Sequence, residues 1–571
     1  MGNQEFERSP VTANRLQPAR HFAASYAGEH VAGTEFVIGA MFVTWGVGTS
    51  DILFGLLLGN LLAVLTWALV CAPIAVNTRL TLYAYLEKIA GPGTIKLYSI
   101  VNGALFCVLA GTMITVSASA VRILFDIPPQ VNWYPTSTGF VVVALVVGAV
   151  VVAIAAKGFK RVAQFAEVCA PWMILMFFAG ALALLPLLAS MTPGIDSISS
   201  FAEFKIAADQ YIWVASSNSE LGLWHVAAFA WVCNFAMHGG LSDMTVLRFA
   251  RRANYGYFSA LGMFIGHFAA WICAGVMGAG AAILLKTSVA ALDAGEVAYQ
   301  ALGAAGIIAV IIAGWTTSNP TIYRAGLAFQ SLNPKWDRVK VTVVTGAVTT
   351  VIACFPFVFS KLMDFVSIMG LILAPVGAVI VTEHWLFPKL NLTRYWSSYE
   401  KRYTNWAAVI AWGGALIVAL LCYSAGVHQF FLIIPSWIAA TLMYILVARM
   451  MGAARQHPAE QQQQVQQQQR RIEAEQRFLD NLDVEHTASD EIATGGGLTL
   501  LKWLAIASLI ACAGLAIACA QNKIALDVFQ RWLIWPSLIY FVTATFWAIG
   551  RDKQESAQVN ARVVAHEQQQ A

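Results

Sequence analysis

Long stretches without charge constrain this chain more than anything else in it. No Asp, Glu, Lys or Arg lies between Asp51 and Arg79, between Asp126 and Lys157, or between Glu167 and Asp196. A helix crossing the hydrocarbon core of a bilayer needs about 20 mostly apolar residues, and these runs supply them. Lipid offers no hydrogen bonds, so the backbone inside it must be helical or closed into a barrel. A barrel strand alternates apolar and polar residues over about 10 positions. These runs are continuous, so helices are expected. Composition agrees: charged residues make up 12% of the 571 and hydrophobic ones 58%, where a soluble chain carries about 25% charge.

Fourteen runs qualify as spans. They lie near 33–48, 51–77, 95–119, 138–156, 164–190, 223–241, 255–285, 300–330, 340–357, 362–385, 405–425, 428–450, 499–520 and 528–549. With the N-terminus inside, all but six of the 35 Lys and Arg fall on the inner side; the exceptions are Arg122, Lys205, Lys286, Lys361, Lys523 and Arg531. That asymmetry predicts a multi-pass protein of the cytoplasmic (plasma) membrane with both termini cytoplasmic. The first ~30 residues lack the apolar core of a signal peptide. A net charge of +4 gives no reason to expect a nucleic-acid partner. The nine Cys form no CxxC pair and read as buried apolar residues.

The expected organisation is a cytoplasmic segment 1–32, a first group of five spans over 33–190, an extracytoplasmic loop 191–222 with a short amphipathic helix, and a second group of five over 223–385. Spans 11 and 12 follow at 405–450, then a Gln-rich cytoplasmic linker 451–498, an extra hairpin 499–549 and a disordered tail 550–571. The stretch 453–497 reads as a solvated helix or as a contact for a partner or a second copy.

Irregular backbone at membrane depth is tolerated only where it lines a cavity. Transporters built from inverted repeats place such breaks at matching positions of their two halves. Span 1 contains Gly39, Gly46 and Gly48; span 6 contains Gly239 and Gly240. The glycines predict two broken helices, or else close helix packing. In span 8, Thr316, Thr317, Ser318 and Asn319 offer oxygen ligands for a hard cation such as Na⁺, or bond their own helix. His238 beside the glycine pair is a candidate hydrogen-bond donor or proton carrier. Trp45, Phe106 and Phe235 offer faces for a planar ligand. Glu35 and Glu167 are carboxylates on apolar helices and candidates for gating or coupling; His225 and His267 read as core or interface residues.

No H-E-x-x-H, P-loop or G-x-S-x-G on a strand-to-helix turn occurs. No nucleotide-binding domain is present to drive a pump, so a secondary transporter, not an enzyme, is the expectation.

Three segments resemble the nucleobase:cation symporter-1 family, the purine–cytosine permease group of the APC superfamily. They are DILFGLLLGNLLAVLTWAL (Asp51 to Leu69), SDMTVLRFARRANYGYFS (Ser242 to Ser259) and GWTTSNPTIYRAGLAFQSL (Gly314 to Leu332). The resemblance implies an all-α polytopic membrane protein with a 5+5 inverted-repeat, sodium-symporter-like core, here with about 14 transmembrane helices. It implies a small heterocycle held between broken spans 1 and 6 and spans 3 and 8. It also implies a coupling cation, often Na⁺, between spans 1 and 8, held by Thr316, Thr317 and backbone carbonyls near Ala40 and Val43. Solute contact is expected from Phe235, His238, Gly239, Trp45, Phe106 and Trp315, and no organic cofactor is expected. The chain departs from the family pattern at Val108, where a Trp often stands, at Ala313 for an Asn, and at Met237 for a Ser. The reading that follows is Na⁺- or H⁺-coupled symport of a nucleobase-like or other small nitrogenous solute. A proton-coupled amino acid or amine transporter, or a transporter-like sensor, are the alternatives.

Overall fold

The computed structural model describes residues 6–570 except 158, 334 and 488–495, and among them every regular element is helical. Among the described residues eleven helices are long and apolar enough to cross a bilayer. The other three of the expected fourteen runs form shorter helices, two of them because spans 1 and 6 are interrupted.

In chain order, α1 (Ala19–His30) and α2 (Gly33–Phe42) are two halves of span 1. Next come α3 (Thr49–Thr78), α4 (Leu82–Phe125), α5 (Thr138–Ala155) and α6 (Phe159–Met191). A short loop helix, α7 (Phe201–Tyr211), is closed by a capping box between Ser200 and Glu203. Span 6 is divided into α8 (Leu223–Val232), α9 (Phe235–His238) and α10 (Met244–Leu247). Then follow α11 (Ala253–Leu285), α12 (Ala294–Leu302), α13 (Ala304–Gln330), the 16-residue α14 (Arg338–Ala353) and α15 (Lys361–Lys389). The chain ends with α16 (Trp406–Ser424), α17 (Gln429–Ala453), α18 (Pro458–Thr487), α19 (Gly496–Ala520) and α20 (Leu526–Gln570).

The packing has the exchange of partners that two inverted repeats produce. α3 lies along α8 of the other half, and α11 lies along α2. Each contact is made close by glycine: a Cβ on Gly59 would collide with the Ala227 carbonyl, and one on Gly39 with the Trp271 carbonyl. The third spans of the two halves, α4 and α13, make the most extensive contact in the molecule.

The break in span 1 is at Val31 (φ −95°, ψ 64°) and Ala32 (φ −103°, ψ 168°), not at its glycines. Gly39 packs within α2, Gly46 (φ +66°) turns the chain after it, and Gly48 caps α3. Span 6 breaks at Asn234 and again at Gly239–Leu241, where Leu241 takes φ +62°. Span 1 therefore begins at Ala19, and the segment 1–32 is not a separate tail. Hydropathy hides α1 because it carries Arg20, His21, Glu29 and His30. The fold answers those charges with partners: Glu167 lies 3.8 Å from Arg20 and 3.5 Å from His21.

The Gln-rich segment is not a free linker. α18 lies against the face that carries the N-terminal segment. Glu475 accepts from Arg79 Nε (3.1 Å) and Nη2 (2.9 Å), and Arg471 donates to the Thr78 carbonyl (2.6 Å). Ile472 on this helix remains exposed; 488–495 lie outside the described residues. The hairpin α19–α20 packs on α6, where Trp172 Nε1–H donates to Ser537 (3.0 Å) and Tyr540 to the Val168 carbonyl (2.7 Å). Helix α20 continues through the tail expected to be disordered, whose Ala, Gln, Glu and Arg are strong helix formers.

Candidate functional site

The two interrupted helices meet around a cavity of about 40 Å³, enough for a few water-sized groups. Its wall is built from the break of span 1, the first break of span 6, and positions on α4, α11, α13 and α15. Ile38, Leu109, Met113, Leu362, Val366 and Met369 make most of it apolar. None of the described residues lining it is Phe, Trp or Tyr.

Its polar groups come from the breaks. Glu35 sits in the first turn of α2, whose N-cap residue Ala32 supplies no side-chain cap. A carboxylate there answers the positive end of the half-helix. Trp271 Nε1–H donates to Glu35 Oε2, Thr34 lies 3.5 Å from Oε1, and His267 Nε2 lies 3.6 Å from it, too far for a hydrogen bond. Asn234 Nδ2 lies 3.2 Å from that same His267 nitrogen. The His267 ring stacks on Trp271 at 4.2 Å. Among the described residues no Arg or Lys pairs with Glu35, which is 3% exposed and has His267 as its basic neighbour. Stripping a carboxylate of water costs several kcal/mol, up to about 20 in the idealised limit, unless a charge replaces the water.

His30, one residue before the break, shows the same bias. Its Nδ1–H donates to the Tyr26 carbonyl (2.9 Å), which leaves Nε2 a lone-pair acceptor. That atom is buried and has no partner in the protein.

Toward the face carrying α18, a charged cluster closes the cavity. Arg324 donates to Glu29 (2.5 and 3.1 Å) and to Asp243 (2.5 Å). Asp243 also accepts from Tyr26 OH (3.0 Å) and Trp67 Nε1 (2.6 Å). Four elements, α1, α3, α10 and α13 with its neighbours, are tied by one set of ions. Beyond α2 and α8, Trp45, Phe42, Phe229 and Phe430 form an aromatic plug with ring centroids 4.7–5.8 Å apart.

The six residues expected to touch solute are near the cavity but do not line it. Trp45 belongs to the plug. Phe235 packs edge-on against Trp231 and Trp437. His238 is 0% exposed, bonds the Trp231 carbonyl (3.0 Å) and packs on Trp67. The Gly239 carbonyl abuts Gly377. Phe106 is buried in the core, and Trp315 joins the cluster between α4 and α5. The residues that do line it include Glu35 and His267, which sequence alone marked as a gating candidate and as core, and His30 and Asn234, which it missed.

For the cation, Thr317 Oγ1 reaches the Glu29 carbonyl (3.0 Å) and the Ala313 carbonyl (3.0 Å), and Thr316 bonds the latter (3.0 Å). The carbonyl of span 1 that meets the Thr pair is thus Glu29, at the break. Ala40 and Val43 lie about 12–17 Å beyond Ala32, where α2 begins, at 1.5 Å per residue, and Ala40 packs on Gly278. Both hydroxyls are thus used on backbone carbonyls, two bonds within α13 and one from Thr317 across to span 1. Among the described residues no cluster of His, Cys, Asp or Glu is arranged to hold a metal.

The fold is similar to solved structures of membrane transporters. Mhp1, a nucleobase-cation-symport-1 family transporter in a closed conformation with bromovinylhydantoin bound, aligns at TM-score 0.60 and 15% identity, over 78% of this chain and 95% of that one. Inward-facing Mhp1 aligns at 0.58 and 12%, over 78% and 93%. A Na⁺-coupled sialic acid symporter in a substrate-bound outward-open state aligns at 0.56 and 13%, over 80% and 93%. No family model and no curated protein matches the sequence. The likeness at these identities establishes the fold: an all-α polytopic membrane protein with the 5+5 core of the sodium symporters.

Proposed function

We propose that the chain is a secondary active transporter that moves a small nitrogenous solute across the cytoplasmic membrane by alternating access, coupled to a cation. The observation that carries this reading is the cavity where two interrupted helices meet, closed by a charged cluster on one side and an aromatic plug on the other. The similar folds of a nucleobase-cation transporter and a Na⁺-coupled symporter support it. Na⁺ would sit among Thr316, Thr317 and the carbonyls of Ala313 and Glu29, supplying the gradient's driving force.

The occupied cavity must favour the closed state over both open ones. Moving such an equilibrium from 1:99 to 99:1 takes about 5.5 kcal/mol of differential binding, shared between solute and ion. Because Glu29 presents its carbonyl to Thr317 and its carboxylate to Arg324, an ion there would pull on the charged cluster directly.

The test has two stages. Purified protein is screened by thermal shift against nucleobases, amines and amino acids, with and without sodium. The stabilising solute is then followed into proteoliposomes. Thr316→Ala combined with Thr317→Ala is expected to abolish sodium-stimulated uptake. Uptake with unchanged sodium dependence would overturn the ion assignment, and binding without counterflow would overturn transport. A proton-coupled amine carrier of the same fold is the second reading, favoured by the lone carboxylate of Glu35.

A further inference from the structure

We infer that the central cavity takes a solute bearing a cationic nitrogen, a protonated amine or amidinium, with Glu35 as its counter-ion and His30 as a second acceptor. The inference rests on the transport reading for its biological meaning, but binding alone tests it.

The argument is a count of unfilled hydrogen-bonding capacity. Several side-chain donors at the breaks already have acceptors: Trp271 Nε1–H and the Thr34 hydroxyl on Glu35, and the Thr317 hydroxyl on the carbonyls of Glu29 and Ala313, while Asn234 Nδ2 lies 3.2 Å from His267 Nε2. Acceptor capacity remains open beside them. Glu35 has lone pairs to spare, and among the described residues the basic group within ion-pair reach of it is a ring nitrogen of His267 at 3.6 Å. His30 Nε2 has no partner in the protein. The contrast with the rest of the interior is instructive. Glu29 and Asp243 share Arg324, and Asp293 is paired with Arg122. Among the described residues Glu35 is the cavity-lining carboxylate without an Arg or Lys partner.

The place of Glu35 sharpens the assignment. Half-helix N-termini in such folds attract anionic groups of the solute. Here the chain's own carboxylate stands in the first turn of α2, so an anionic solute meets a like charge. A cationic nitrogen meets a carboxylate, an imidazole lone pair and thioether-rich apolar walls. A planar neutral ring finds no aromatic face to stack on among the described lining residues.

The experiment measures binding to the detergent-purified full chain at constant ionic strength and sodium. The probes are primary alkylammonium ions of two to six carbons, each compared with the alcohol of the same length and with the matching carboxylate. Amines are expected to stabilise and bind, with alcohols and carboxylates inert. Glu35→Gln is expected to weaken the best amine by at least about 30-fold, corresponding to the ~2 kcal/mol lower limit for cutting one partner of a buried charge pair. The comparison among probes on the unmodified protein stands even where the variant folds poorly. Equal binding of alcohol and amine, no binding by any amine, or amine binding unchanged in Glu35→Gln would each overturn the assignment. So would sodium stabilisation that Glu35→Gln abolishes while amines stay inert, since Glu35 would then serve the coupling ion. Amine binding that depends on Glu35 but gives no counterflow in proteoliposomes would refute transport and leave the site standing.

Discussion

Arg324 holds two carboxylates at once, and its fork geometry is what permits it. One terminal nitrogen meets Glu29, the other meets Glu29 and Asp243, and all three residues are at most 4% exposed. Removing the guanidinium would leave two like charges buried together. Breaking such a cluster costs about 3–5 kcal/mol. Arg324→Ala is therefore expected to lower the thermal midpoint in detergent far more than Arg324→Lys, whose ammonium keeps the charge but not the fork. Equal midpoints for Ala and wild type would show that the cluster does not hold the fold. The three residues are easy to see in the sequence and impossible to connect there. Arg324 lies 295 positions from Glu29 and 81 from Asp243, so each reads as an isolated charge near a span end. The same limit explains the solute residues. Helical periodicity predicts which side chains share a face only while the helix is continuous. Beyond Val31–Ala32 and Asn234 the phase is reset, and the cavity goes to Glu35, His30 and Asn234 instead of Trp45, Phe235 and His238.

Among whole elements, α18 departs most from its composition. Glutamine runs read as solvated linker, yet the helix is latched by a buried pair, Glu475 with Arg79, whose partners are 396 positions apart, and by the bond from Arg471 to the Thr78 carbonyl. Arg79 stands in the left-handed region (φ +59°) where α3 ends, and it also donates to the carbonyls of Arg248 and Ala250. One side chain thus joins α18 to the ends of span 2 and span 6. Glu475→Gln keeps shape and removes the charge. It is expected to cost about 1.5–3 kcal/mol of docking, the range for a hydrogen bond to a charged group. Cleavage by trypsin after Arg470, Arg471 and Arg477 should then accelerate several-fold before any change in the bundle. Unaltered cleavage would mean that α18 is held by something other than this pair. The element boundaries themselves were legible wherever charge was absent. They failed at α1, where paired polar residues depress hydropathy, and in span 1, where non-glycine residues make the break.

At the scale of the molecule, the repeated core and the added hairpin are separable in both chemistry and position. The sequence shows the two groups of five through glycine pairs and hydropathy, and the exchange of α3 and α11 between halves gives the repeat its physical form. Nothing in the sequence says where α19 and α20 go, because lipid-facing and helix-facing apolar residues are interchangeable in composition. They go onto α6 through polar contacts: Trp172 with Ser537, the Val168 carbonyl with Tyr540, and Glu167 with Arg551 (2.5 Å). None of these residues lines the cavity. Interhelical hydrogen bonds in membranes are worth about 0.6–1.7 kcal/mol each, so the hairpin stabilises α6 without shaping the site. Ending the chain at residue 487 is expected to leave a folded bundle with a lowered thermal midpoint. Glu167 would remain held by Arg20 and His21, since the span 1 half-helix is untouched. Affinity for the best alkylammonium probe should stay within about two-fold of the full chain, because that contact depends on Glu35 and His30. Loss of binding in a truncated chain that still unfolds cooperatively would reverse this division, and would make the hairpin, through α6 and its contact with α1, part of the apparatus that opens and closes the cavity.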